Sequence, residues 1–203
     1  STQTLTGTNT YTGATTISGG TLALGSTGSI DNTSGVSLGT SGTFDVSAKS
    51  GGYTVAALTG SGNVIGALTV STTLAIGNSP GTTTFSSDLT IGVGATSTFE
   101  FTDTAFTGGT FDLAQGGVGA QNVDFGGGTL NLLFSGGSYV DNSTVRIFDF
   151  ETYSGSFGTV SFSGLDVGQS AVFNSSTGYV TITAIPEPNA AMLVGGLGVL
   201  ALL

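Results

Sequence analysis

The sequence contains no cysteine and no histidine. Without cysteine the chain has no disulfide, no thiolate nucleophile and no cysteine metal ligand, a usage compatible with a location outside the cytoplasm. Without histidine it lacks the commonest general base and metal ligand, and with them every Ser-His-Asp or Cys-His arrangement. These two absences exclude most hydrolase mechanisms.

Positive charge is almost missing as well. Lys49 and Arg146 stand against twelve acidic residues, and the net charge is −10 at pH 7. Phosphate backbones and anionic lipid headgroups are bound through Lys and Arg, which displace their counterions. The composition therefore predicts a protein that does not bind nucleic acid.

The residues that are abundant favour short strands joined by tight turns. The chain has 36 glycines and 13 phenylalanines, 38% of its residues are hydrophobic, and Thr and Ser separate the apolar positions. A small or polar residue followed by apolar, any, apolar recurs and places alternate side chains on one side of a strand. The copies are Thr21–Leu24, Thr43–Val46, Thr73–Ile76, Asp88–Ile91, Thr98–Phe101, Thr110–Leu113 and Thr129–Leu132.

The spacing of these copies predicts an all-β fold, and we expect a β-solenoid with coils of unequal length, followed by a short apolar C-terminal helix or tail. An antiparallel β-sandwich or jelly roll is the alternative. At roughly 20 residues per coil and ~4.8 Å per rung, the rod would have about nine coils and a length of about 40 Å. We expect a solenoid body over 1–135, a β-rich cap over 136–184 and a tail over 185–203.

Residues 5–25 resemble the autotransporter-associated β-strand repeat nearly residue for residue, and the first repeat unit spans about 1–30. Residues 58–62 and 76–81 resemble segments that commonly follow such repeats. The resemblance implies a β-helical passenger region of an exported bacterial protein. Because the sequence opens at Ser1 without Met, we also expect that an export signal has been removed.

A second resemblance lies at the end of the sequence. Pro186, Glu187 and Pro188, followed by the apolar run 190–203, resemble a PEP-CTERM sorting signal, although the terminal Arg-rich cluster of that family is not present. The resemblance implies that these three residues are recognised by an exosortase-type enzyme. As a helix the run would be only ~21 Å long, too short for a ~30 Å hydrocarbon core. Because these apolar side chains would aggregate if left in water, we expect the run to dock on a neighbouring copy and form a head-to-tail polymer; lipid or detergent around the run is the alternative.

Acidic pairs are the remaining source of catalytic chemistry. Two carboxylates can hydrolyse glycosides, and the pairs to consider are Glu100 with Asp103 or Asp112, and Asp149 with Glu151. No basic partner or aromatic platform accompanies them, so we expect solvated acids and no enzyme.

Cofactors are not expected either. Residues 116–124 resemble a calcium-binding nonapeptide, but Gln121 stands where that pattern needs aspartate, and we interpret the stretch as a turn. Calcium could still bridge Asp141 or Asn142.

These observations predict a non-catalytic, exported structural protein of the bacterial surface or extracellular matrix that self-assembles into a filament or layer. The alternative is an adhesin whose elongated surface binds an extracellular polysaccharide. Its contacts would be Tyr11, Tyr53, Tyr139 and Tyr153, because aromatic rings stack on sugars at low entropic cost. The competing interpretation makes these tyrosines half-buried strand residues.

Overall fold

The computed structural model describes residues 1–77, 80–119, 121–135 and 137–185, and all regular structure in these residues is β. In the described part of the chain no helix is long and apolar enough to cross a bilayer. The strands are β1 (Thr2–Leu5), β2 (Thr15–Leu24), β3 (Val36–Asp45), β4 (Tyr53–Gly60), β5 (Gly62–Ile65), β6 (Leu68–Ile76), β7 (Thr82–Phe85), β8 (Leu89–Ile91), β9 (Thr96–Phe101), β10 (Leu113–Gly116), β11 (Asn122–Asp124), β12 (Thr129–Phe134), β13 (Thr144–Arg146), β14 (Phe148–Asp149), β15 (Thr152–Ser154), β16 (Thr159–Ser163), β17 (Gln169–Asn174) and β18 (Tyr179–Ala184).

Strands one coil apart pair in parallel, which confirms the predicted β-solenoid. The pairs form three ladders that the chain visits in turn. Ladder A contains the first halves of β2 and β3, the second halves of β4 and β6, and then β9, β12 and β16. Ladder B contains β1, the second halves of β2 and β3, and then β5, β7, β10 and β14. Ladder C contains the first halves of β4 and β6, and then β8, β11 and β15.

Ladder A has seven rungs among the described residues, so at ~4.8 Å per rung it is about 29 Å long. The expected nine coils and 40 Å are therefore too many and too long. The reason is that coil length is not constant: the early coils hold about 20 residues and the last ones about 30.

Inward side chains stack in continuous lanes along the ladders. In ladder A, Val36 lies opposite Leu58, Leu58 opposite Leu74, and Leu130 occupies the same lane two rungs further on. Each of these four side chains is almost fully buried. Because burying an aliphatic side chain contributes about 1.5–3 kcal/mol, the lanes are the main source of stability.

Glycine is required where the chain turns from one ladder to the next. Gly60 ends β4 with a φ of +93°, and a Cβ at this position would overlap the carbonyl oxygen of Leu38 on the preceding rung. Only glycine combines this dihedral angle with so close an approach of two backbones. The glycine content of the chain thus has a structural cause at this corner.

The C-terminal end of the core is covered by a small antiparallel sheet in the order β13-β18-β17. Phe173 of β17 packs edge-on against Phe125 and Phe148 of the last coils, with ring centroids 5.4 and 5.9 Å away. The stretch 136–184, expected to be a cap, is divided between two roles: β13, β17 and β18 form the cap, whereas β14, β15 and β16 continue the three parallel ladders. The apolar tail lies outside the described residues.

Candidate binding groove

Small and polar side chains form the outer surface of ladder A. Ser37 lies opposite Thr59, Thr59 opposite Ala75, and Ala75 opposite Thr98, so these residues form an outward lane across four rungs. A groove of about 260 Å³ follows this lane. The regular register of the ladder therefore creates a shallow channel lined with hydroxyl groups.

Two carboxylates, Glu100 and Asp112, contribute to the wall of this groove. Glu100 is on β9, two residues after Thr98 and on the same side of the strand. Asp112 is only 1% exposed, although the apolar-any-apolar pattern of Thr110–Leu113 predicts an outward residue in a strand. That predicted strand is wrong, because the backbone pairs there only through an isolated bridge between Phe101 and Phe111 and β10 starts at Leu113.

Hydrogen bonds to the backbone hold the Asp112 carboxylate in place. Oδ1 accepts from the Gly81 N–H at 2.9 Å, and Oδ2 accepts from the Glu100 N–H at 2.8 Å. Gly77, with a φ of +92°, borders the same carboxylate, and a Cβ at that position would overlap it. Asp112 thus connects the segment before β7 to β9. It also closes the loop of residues 102–112 between β9 and β10, which we call the excursion.

Burial raises the pKa of Asp112 to about 6, and the nearby Glu100 carboxylate adds to the shift, while the two backbone N–H groups oppose it. Asp103 is different, because it lies in the exposed excursion. Its pKa is lowered by a hydrogen bond from the Thr107 hydroxyl and another from the Ala105 N–H. Of the acids considered from the sequence, Glu100 and Asp112 are brought together at the groove.

The second acidic pair lies in a different depression of about 380 Å³ near Arg146. Asp149 forms an ion pair with Arg146, whose guanidinium also lies over the rings of Tyr179 and Tyr153. The expectation that no basic partner accompanies this acidic pair is therefore wrong. Glu151 lines the same depression. The described residues contain no group of three or more acidic side chains that could hold a metal ion.

The residues considered for calcium make other contacts. Gln121 is buried and its Nε2 donates to the Ser86 carbonyl at 3.4 Å. Asp141 accepts a hydrogen bond from Gln169 at 2.8 Å, and Asn142 has a φ of +65°.

The four tyrosines lie in four separate environments. Tyr11 is exposed and its hydroxyl is 2.8 Å from the hydroxyl of Thr15. Tyr53 is half-buried and donates to Asp31 at 2.6 Å, and burial together with this bond raises its pKa to about 12. Tyr153 is half-buried and donates to the Phe148 carbonyl at 2.8 Å.

Tyr139 is buried, with only 2% of its surface exposed, and its ring packs on Phe134 and Phe106 at 5.1 and 5.4 Å. The expectation of an exposed Tyr139 ring is therefore wrong. None of the four tyrosines lines the groove of ladder A. The hydroxyl lane was not predicted from the sequence, because Ser and Thr are so common in the chain that no single residue stands out.

Comparison with protein families yields one match, over the first coil. Residues 1–24, which contain β1 and β2, match the model of the passenger-associated-transport-repeat. The likeness to autotransporter-associated repeats is thereby confirmed for this coil. Such a repeat suggests a secreted or surface-associated repeat protein. No curated protein and no solved structure matches the chain.

Proposed function

We propose that the chain is a non-catalytic structural part of an exported bacterial protein, and that it self-assembles into a filament or layer at the cell surface or in the extracellular matrix. The observation that carries this proposal is the set of continuous parallel ladders with charge-poor outer lanes. In ladder C, for example, Thr54, Thr69 and Thr90 follow one another on successive rungs. Surfaces of this kind suit lateral packing because few charges have to be desolvated.

Two measurements on the natural host test this proposal. Electron microscopy of cell-surface material, with antibody labelling, should show labelled fibres or layers. Protease added to intact cells should remove the protein. A chain that is protected from the protease, or that is dispersed as monomers in concentrated surface extracts, would contradict the proposal.

The sorting role of Pro186, Glu187 and Pro188 is part of the same proposal, although these residues lie outside the described residues. Its support is the resemblance of the motif and the following apolar run to a PEP-CTERM signal. We expect Glu187→Ala to leave the precursor unprocessed by an exosortase-type enzyme, while Asn189→Ala is processed normally. Equal processing of the two variants, measured by the mass of the secreted chain, would contradict the proposed sorting role.

Binding of an extracellular polysaccharide is the second candidate function, and the groove of ladder A favours it. The hydroxyls of Ser37, Thr59 and Thr98 and the carboxylate of Glu100 offer hydrogen-bond partners for sugar hydroxyls. Thr98→Val should then weaken binding on a glycan array, whereas Thr54→Val, on the outer lane of ladder C, should not. A Tyr11→Ala variant tests the exposed tyrosine. Sugar release from a panel of polysaccharides would overturn the non-catalytic assignment.

A further inference from the structure

The last rung of ladder A, β16, is an edge of the ladder, unlike the inner rungs, which pair with a strand on both sides. β16 pairs with β12 on one side, and among the described residues it forms no ladder on the other side. Strand β17, which follows β16 in the chain, pairs only with β18. β16 therefore presents a row of unpaired backbone N–H and C=O groups, which can template another strand.

The inward lane of this rung is also uncovered. Val160 and Phe162 lie opposite Leu130 and Leu132 of β12, both of which are fully buried. In β16 the corresponding side chains are 39% and 41% exposed. The alternating apolar side chains that are buried in β12 therefore have exposed counterparts in β16.

We propose that β16 pairs edge to edge with β16 of a second copy of this chain, in antiparallel orientation about a two-fold axis at Ser161. This β16 interface rests on the self-assembly proposed above and is one contact through which the copies assemble. With Ser161 opposite itself, Val160 lies opposite Phe162 of the second copy, and Thr159 lies opposite its Ser163. Apolar side chains then meet on one side of the sheet and hydroxyls on the other.

The strand itself favours a second copy as the occupant. Its sequence, from Thr159 to Ser163, alternates polar and apolar about its centre, so it is complementary to its own antiparallel copy. An aromatic side chain opposite a β-branched one is a stabilising cross-strand pair, and a slip of one residue would place Phe162 against a polar side chain. The strand has no charge, proline or bulge, the usual devices that keep edge strands apart.

Cysteine cross-linking of the full chain tests this register, because the natural sequence has no cysteine. Directly opposite residues in an antiparallel pair have Cα atoms about 4.5–5.5 Å apart, within disulfide range. Ser161→Cys should therefore form a covalent dimer under mild oxidation. Ser163→Cys is the matched control on the same strand and the same side. It lies about 14 Å from its own copy and should cross-link at least tenfold more slowly.

A second variant tests the apolar lane. Phe162→Lys should abolish the Ser161→Cys dimer in the double variant, because an edge lysine prevents strand pairing. An unchanged circular dichroism spectrum would show that the fold remains. Added salt should increase wild-type association, since each copy carries a net charge of −10 and the β16 interface itself is uncharged.

Three outcomes would contradict the proposed β16 interface. The first is equal cross-linking of Ser161→Cys and Ser163→Cys. The second is a Ser161→Cys chain that stays monomeric although hydrogen exchange finds the outer amides of β16 protected, which would assign the edge to residues 186–203 of the same chain. The third is that the wild-type chain assembles but the Ser161→Cys variant forms no cross-linked dimer; self-assembly would then be supported and only the β16 interface would be contradicted. A chain that assembles in no form contradicts the proposed function itself.

Discussion

The first coils and the last coils of the solenoid share ladders A and B but differ in length and in core composition. The early rungs are tight, turn at glycines such as Gly60, and stack aliphatic side chains. The later rungs have long excursions, one of them closed by Asp112, and their core is aromatic, with Phe148 in contact with four other phenylalanines. A ladder therefore needs only its inward side chains in register, because the loops between strands accommodate any extra residues.

The aromatic end is where one substitution should have the largest effect. Phe148→Ala removes a fully buried ring, and we expect it to lower the free energy of unfolding by about 3–5 kcal/mol. Denaturant unfolding followed by circular dichroism measures this. Phe162→Ala, which removes an exposed ring, should cost less than about 1 kcal/mol and serves as the control. Similar losses for the two variants would contradict the assignment of the core.

The excursion closed by Asp112 should make stability depend on pH. The pKa of Asp112 is about 6 in the folded chain and 3.8 for an ordinary aspartate, so between these pH values the folded state holds more protons than the unfolded state. Lowering the pH from 7 to 4 should therefore increase the contribution of this group to stability, by up to about 3 kcal/mol.

Asp112→Asn should remove that gain, as measured by unfolding at a series of pH values. Asp103→Asn is the matched control. Because the pKa of Asp103 is lowered, this carboxylate contributes stability that is lost as the pH falls, so its removal should change the pH dependence of stability in the opposite direction. A pH profile that is the same in the wild type and in Asp112→Asn would show that the buried carboxylate does not titrate as stated.

The smallest expected effect lies where the early coils meet the late ones. Ser97 occupies the inward lane between Leu74 and Leu130, and its hydroxyl is buried without a hydrogen-bond partner among the described residues. Ser97→Ala should raise the free energy of unfolding by about 1 kcal/mol, because it removes an unsatisfied polar group from the core. Ser37→Ala, on the outward lane, should change it by less than about 0.5 kcal/mol. A destabilised Ser97→Ala would indicate that the hydroxyl has a partner.

Local pattern was sufficient for most strands. Six of the seven predicted segments lie in strands, extending beyond a strand end by at most one residue, because alternation of inward and outward side chains is visible in four consecutive residues. The first coil was recognisable for the same reason, since residues 1–24 retain the spacing of a known repeat. The all-β class follows from these local features, whereas the choice of a solenoid over an antiparallel sandwich depends on the parallel pairing of strands one coil apart.

The burial of individual side chains, in contrast, depends on the tertiary structure. Thr110–Leu113 has the same pattern as the true strands, yet Asp112 is buried there because the backbone N–H groups of Gly81 and Glu100 satisfy its carboxylate. Val160 and Phe162 repeat the pattern of a core strand and are exposed, because no further described rung covers them. Alternation within a strand is a local property that the sequence determines, whereas burial depends on the neighbouring rung, which only the folded coil supplies.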